Sequence, residues 1–135
     1  EQRINPVLMA LSFEASFVAR GFSGDLPQLK QLIKMGIEHN GFSFIHVLSP
    51  CVQYNDKITY ESLKERIVPL PEDHDVTDII SGMKLAFTHD YVYTGLLYKT
   101  QKPTLEEKFE AITTKVKEFT GKDNHSYYDI MSQFA

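Results

Sequence analysis

The sequence predicts an α/β protein built around a parallel sheet, and three observations carry that prediction. Apolar spacing over residues 5–48 switches in turn between a helical and a strand period. Capping and turn residues stand where the period switches, at Asn5-Pro6, Asp25 and Asn40-Gly41. The resulting order of helix, strand, helix, strand is the pattern of parallel strands joined by right-handed crossovers.

Each element has a local cause. Asn5 suits a helix N-cap and Pro6 the first helical position, so a helix begins there. It turns Val7, Leu8, Ala10 and Leu11 inward and should end near Phe13. Ser16 to Arg20 reads as a short strand, and Gly21-Phe22-Ser23-Gly24 as a glycine-flanked turn. Asp25 caps a second helix with Leu29, Leu32, Ile33, Gly36 and Ile37 at inward spacing. That helix closes at Asn40-Gly41, where a positive φ is wanted. Phe42 to Leu48 is an apolar run that reads as a buried strand.

Beyond it, Thr59 caps a short helix through Arg66, with Glu61 one place early for a full capping box. Val68 to His74 is a proline-broken connection. Asp75 or Thr77 starts a helix from Asp78 to about His89, bearing Ile79, Ile80, Met83, Leu85, Ala86 and Phe87. Tyr91 to Tyr98 has strong strand preference. Pro103-Thr104 opens a long helix with Leu105, Phe109, Ile112, Val116 and Phe119 on one face, stopped by Gly121. Tyr127, Tyr128, Ile130, Met131 and Phe134 punctuate a polar tail that docks or frays.

The bulk numbers narrow the function. The 135 residues suit one domain, and 42% hydrophobic content supports a packed core. A net charge of −4 disfavours nucleic acid as the main partner. No apolar stretch reaches the length of a membrane span, and no signal-peptide pattern is present. A single cysteine excludes an internal disulfide framework and fits a reducing cytoplasm. The chain starts Glu1-Gln2-Arg3 and is apolar within a dozen residues, so it reads as the continuation of a longer polypeptide.

That cysteine, Cys51, lies in Ser49-Pro50-Cys51-Val52, just past the Phe42–Leu48 strand. Proline cannot extend a sheet ladder, so the chain turns and puts the thiol on a loop at the carboxyl end of a strand. Ligands bind at this edge of open α/β sheets. The competing account is a small buried hydrophobe, a common fate of free cysteine. One thiolate cannot fill a zinc or iron–sulfur site, which takes about four ligands, so any others come from elsewhere.

Other constellations are weaker. His39, His46, His74, His89 and His125 share no metal-ligand spacing and read as structural. His74-Asp75 with Asp78 suggests an acid–base pair or, more plainly, a polar turn and helix start. Gly21 to Asp25 lacks a phosphate-loop signature and reads as turn plus cap. Glu72 to Asp75 and Glu106-Glu107 read as solvated helix starts favoured by the dipole.

Several runs together resemble a known family: Asn5 to Leu11, Phe17 to Asp25 (Phe-Val-Ala-Arg-Gly-Phe-Ser-Gly-Asp), His39 to Phe44 and Ser49 to Asn55 (Ser-Pro-Cys-Val-Gln-Tyr-Asn). They are similar to the β subunit of 2-oxoacid:ferredoxin oxidoreductases, above all the two-subunit and 2-oxoglutarate types. Thr94 to Tyr98 and Lys102 to Glu107 fit the carboxyl-terminal part of that family, so the likeness spans about residues 5–107. The family's Gly-Asp-Gly…Asn motif for diphosphate and magnesium, its Cys-x-x-Cys pair and its third cysteine have no counterpart here.

The resemblance implies a parallel-sheet carboxyl-terminal half of a thiamine-diphosphate-binding fold, at residues 1–58, with a helical and strand extension at 59–135 that packs on the partner subunit. It implies that Cys51 is a thiolate ligand to iron in a 4Fe–4S cluster, the other ligands lying upstream. Backbone groups from Val52 to Asn55 would donate hydrogen bonds to the sulfurs. Thiamine diphosphate, Mg2+ and the cluster all require the upstream half, so no residue here is expected to be catalytic and the segment alone is expected to be inactive. In the whole enzyme, oxidative decarboxylation of a 2-oxoacid gives acyl-coenzyme A, and electrons pass through the cluster to ferredoxin. The implied partners are an α subunit, ferredoxin, the 2-oxoacid and coenzyme A, in the cytoplasm. Two alternatives stand beside this reading: a non-catalytic α/β interaction module with Cys51 buried and inert, and a part of another thiamine-diphosphate enzyme without a cluster.

Overall fold

A computed structural model describes residues 4–51, 53, 54 and 57–120, the side chains of 119 and 120 excepted. The expectations for Val52, Asn55, Gly121, His125, the Phe119 side chain and the tail tyrosines lie outside the described residues. The chain divides into two compact units, Glu1–Lys102 and Pro103–Ala135.

The first unit contains helices α1 (Pro6–Ser12), α2 (Leu26–Glu38), α3 (Tyr60–Arg66) and α4 (Ile79–Phe87) and strands β1 (Phe17–Phe22), β2 (Ser43–Leu48), β3 (Ile67–Pro69) and β4 (Val92–Lys99). The strands form one sheet in the order β2-β1-β4-β3. β1 pairs with β2 in parallel, Phe17 opposite Ser43 through Phe22 opposite Leu48. β3 pairs with β4 in parallel, Ile67 opposite Val92. The two crossover units, β1-α2-β2 and β3-α4-β4, meet along an antiparallel β1–β4 seam, with a register shift at Val18/Ala19. The sheet is therefore parallel within each unit and mixed as a whole.

Alternation along β1 divides the core between two faces. Phe17 and Ala19 pack with Leu32 of α2 and with Met35, Ile45 and Leu96. Val18 packs with Val7, Ala10 and Leu11 of α1, Ala86 of α4, and Leu97 and Tyr98. All six β1 residues are buried. β1 is thus the central strand, covered on both faces and paired on both edges.

The caps follow the sequence. Asn5 Oδ1 accepts from the Val7 and Leu8 amides at 3.1 and 3.3 Å, and its Nδ2 donates to the Ala86 carbonyl at 2.8 Å, tying α1 to α4. Asp25 caps α2 through the Gln28 amide at 3.1 Å. Gly41 has φ +140°, and a Cβ there would collide with the Ser16 hydroxyl, so glycine is required. In the second unit α5 (Leu105–Thr120) starts from a reciprocal pair, with the Thr104 amide donating to Glu107 at 2.7 Å and the Glu107 amide to Thr104 Oγ1 at 3.2 Å. Its apolar face at Leu105, Phe109, Ile112 and Val116 is exposed.

Five local expectations need correction. Gly21 and Phe22 belong to β1, not to a turn; α2 crosses so closely that a Gly21 Cβ would sit 2.9 Å from Leu29 Cδ1. Ile33 and Ile37 face outward at 42% and 79% exposure, because α2 settles on the sheet through Leu32 and through Gly36 against Ile45. β2 is a half-buried edge strand, since only β1 pairs with it among the described residues. The Thr59 capping box is complete, with Ser62 in the place where Glu61 fell short. The proline-broken connection opens with β3, and Asp78 caps α4, while Asp75 holds the Thr77 amide and hydroxyl in a preceding turn.

Candidate functional site

The carboxyl end of β2 leads directly into the Cys51 loop. The Ser23 amide donates to the Leu48 carbonyl at 2.9 Å, which fixes the last β2 residue against the end of β1. Ser49 and Pro50 then leave the ladder, and the Tyr54 amide closes a turn on the Cys51 carbonyl at 3.3 Å. Cys51 is a free, exposed thiol. The reading of Cys51 as a buried, inert hydrophobe is thereby contradicted: proline ejects the chain from the sheet before the cysteine, and the side chain never reaches the core.

No three His, Cys, Asp or Glu side chains among the described residues are placed to hold a metal. One exposed thiol fits the part of a single ligand within a larger donor set, not of a complete site. Nor does the chain carry the diphosphate and magnesium motif, so no residue here is assigned to thiamine diphosphate.

Among the described residues the histidines are not brought together. His39 Nε2 meets Ser16 Oγ at 2.9 Å and its ring lies 5.5 Å from that of Phe17. His74 joins α4 to β4, with Nδ1 at 3.1 Å from Ser81 Oγ and Nε2 at 3.0 Å from the Leu97 carbonyl. The carbonyl can only accept, so Nε2 carries a proton. His89 packs edge-on against Phe87 at 5.2 Å. With both His74 nitrogens engaged and Asp78 holding the Ile80 amide at 2.9 Å, His74, Asp75 and Asp78 are a structural turn rather than an acid–base pair. A groove of about 320 Å³ among Pro6, Met9, Phe13, Phe42 and Phe44 is lined by apolar residues alone.

His46 is different. It stands on β2, half-buried, with Nδ1 buried and without a partner. Burial, and secondarily the Arg20 charge opposite it, lower its pKa. His39 shifts the same way, through burial and then Lys99. In both, the unfolded chain takes up the proton first. Their contribution to stability is therefore flat above about pH 6.5 and is lost as pH falls from there toward the lower folded values. His46→Asn should flatten part of this slope. Denaturant midpoints at pH 7.5 and 5.5 check it, and an unchanged slope would contradict the shift. The sequence places Arg20 at the end of a strand and in the family-like run Phe17 to Asp25 but gives it no role of its own; a charge directly after the apolar Phe17-Val18-Ala19 was the available signal.

Against known proteins, the family model described as the carboxyl-terminal region of the pyruvate ferredoxin oxidoreductase β subunit matches residues 51–114, beginning at Cys51 itself. A 2-oxoacid:ferredoxin oxidoreductase β subunit of Saccharolobus solfataricus is 46% identical over 70 residues, 52% of this chain and 23% of that one. One from a Sulfolobus species is 32% identical over 130 residues, 87% of this chain and 43% of that one. Among solved structures, 2-oxoglutarate:ferredoxin oxidoreductase from Magnetococcus marinus, with 2-oxoglutarate, coenzyme A and succinyl-coenzyme A bound, superposes with a TM-score of 0.81. It is 33% identical over 98% of this chain and 45% of that one. In sequence and in fold, the chain matches the carboxyl-terminal part of 2-oxoacid:ferredoxin oxidoreductase β subunits. It spans less than half the length of each of these relatives. No helix among the described residues is long and apolar enough to cross a membrane.

Proposed function

We propose that this chain works as the carboxyl-terminal part of a 2-oxoacid:ferredoxin oxidoreductase β subunit and that Cys51 gives one thiolate to its 4Fe–4S cluster. The observation that carries the reading is the exposed thiol at the carboxyl end of β2, on the family's proline–cysteine run. The other cluster ligands, thiamine diphosphate and Mg2+ belong to parts of the subunit outside this chain. Bound there, the cluster supplies one-electron storage and transfer toward ferredoxin.

The chain's own contribution is positional. β1 and β2 hold the loop, the Ser23–Leu48 hydrogen bond fixes its root, and Pro50 turns the thiol out of the sheet. Residues 1–58 complete the thiamine-binding sheet in this reading, and 59–135 form the extension toward the α subunit. The half-buried edge of β2 and the outward Ile33 and Ile37 support it, because further protein would cover them. The overall reaction converts a 2-oxoacid and coenzyme A into acyl-coenzyme A, carbon dioxide and a proton, with the two electrons released passing one at a time through the cluster to ferredoxin, in the cytoplasm.

Two assays test this. The complete β subunit with its α subunit should reduce ferredoxin in a manner that needs both a 2-oxoacid and coenzyme A. The isolated chain should show no calorimetric binding of thiamine diphosphate and no stoichiometric iron. Tight thiamine binding by the isolated chain, or an assembled enzyme indifferent to coenzyme A and every 2-oxoacid, would contradict the proposal.

A further inference from the structure

The middle of the central strand carries a charge. Arg20 is only 6% exposed. Its Nη1 lies 3.5 Å from the Tyr93 carbonyl, the outer limit of a hydrogen bond. Its Nε is buried with no partner. The two ion pairs of the described residues, Lys34–Glu38 and Lys102–Glu14, do not involve it. Across the parallel ladder its register partner is His46. Adjacent strands run about 4.8 Å apart and paired residues share a face, so the two side chains stand side by side. His46 Nδ1 is likewise buried and unpartnered. Two polar groups with unused hydrogen-bonding capacity therefore adjoin each other in the carboxyl-terminal halves of β1 and β2.

Arginine does not shed its proton at neutral pH, so this charge cannot relax by neutralising. Buried charges persist in proteins when paired. Desolvation pulls the Arg20 pKa down, in keeping with a guanidinium that has lost water without gaining a counter-ion among the described residues. Its unused Nε edge has the planar fork that grips two oxygens of a carboxylate or phosphate at once. With its Nδ1 protonated, His46 would offer a further donor beside it.

We propose that Arg20 and His46 form an oxyanion site, filled in the working enzyme by a carboxylate or phosphate group that comes from outside the described residues. The inference rests on the reading that this chain acts within a larger enzyme. Two sources share this chemistry: an Asp or Glu side chain of the remaining subunit or of its partner, and an anionic group of the 2-oxoacid or coenzyme A.

Arg20→Met and Arg20→Lys in the complete, assembled enzyme separate them. Met keeps the length and removes the charge; Lys keeps the charge and loses the fork. If the anion is a protein carboxylate, Arg20→Met lowers Tm with and without substrates, Arg20→Lys lowers it less, and both KM values hold. If it is a substrate group, Arg20→Met raises the KM of that substrate by about tenfold or more, the scale of a lost charge-assisted hydrogen bond, and leaves the substrate-free Tm unchanged or higher. An equal or higher Tm in every condition with both KM values unchanged overturns the proposal. That is the behaviour of a lone buried charge whose removal relieves desolvation. Should Arg20→Met not assemble, a crystal structure of the unaltered substrate-bound enzyme decides. An oxyanion about 2.7–3.2 Å from Arg20 Nε supports the site, and its absence overturns it. Iron content of the unaltered enzyme is read alongside. An enzyme without a cluster refutes the role of Cys51 and leaves the Arg20 test intact.

Discussion

Cys51→Ser in the complete β subunit is expected to remove the EPR signal of the reduced cluster and to cut ferredoxin reduction by more than about a hundredfold. Even changes around metal ligands cost about 10–100-fold, and loss of a ligand should cost more. A serine oxygen is a harder, less polarizable donor than the thiolate that iron–sulfur clusters take. The same variant should leave the unfolding midpoint of the cluster-free protein unchanged. Cys51 is exposed, and its loop is held by backbone hydrogen bonds that do not use the sulfur. Iron content, EPR and denaturant unfolding measured together separate loss of a ligand from loss of fold. Iron and EPR equal to the unaltered subunit would refute the assignment.

Phe17→Ala carries the largest expected stability change. Phe17 is fully buried on the central strand, within the cluster of Ala19, Leu32, Met35, Ile45 and Leu96, and it adjoins the His39 ring. Truncation leaves a cavity between β1 and α2 that neither can collapse into, since β1 is paired on both edges. The expected cost is about 3–5 kcal/mol, a large share of the roughly 5–15 kcal/mol that holds a domain together. Phe42→Ala, at a residue 66% exposed, is the control and should cost far less. Equal costs would show that the core is not where the fold places it.

Signals written within a few residues were legible in the sequence. The Asn5 and Asp25 caps, the positive φ at Gly41 and the ejection of Cys51 by Pro50 each depend on one residue's own chemistry. Signals that depend on a distant partner were not. β3 is a three-residue strand with a proline at its end, and only its pairing with β4 makes it one. The antiparallel β1–β4 seam is a choice between distant segments that local periodicity does not encode. Ile33 and Ile37 have the spacing of an inward face, yet α2 rests on the sheet through Leu32 and Gly36, which turns them outward.

The candidate site divides along the same line. Cys51 stood out because it is the chain's one thiol, and the family resemblance supplied a role that spacing could not. Arg20 was legible as a strand residue and as part of the family-like run but not as an isolated charge, because its isolation is a property of the folded sheet. Only when β2 and β4 flank it does the absence of a facing carboxylate among the described residues become visible.

The most direct test of the central claim is differential alkylation of Cys51 in the complete subunit, read by mass spectrometry before and after chelation removes the iron. If Cys51 ligates the cluster, its thiol is shielded from iodoacetamide while the cluster is bound and labelled once it is gone. Equal labelling of Cys51 in both states would contradict it.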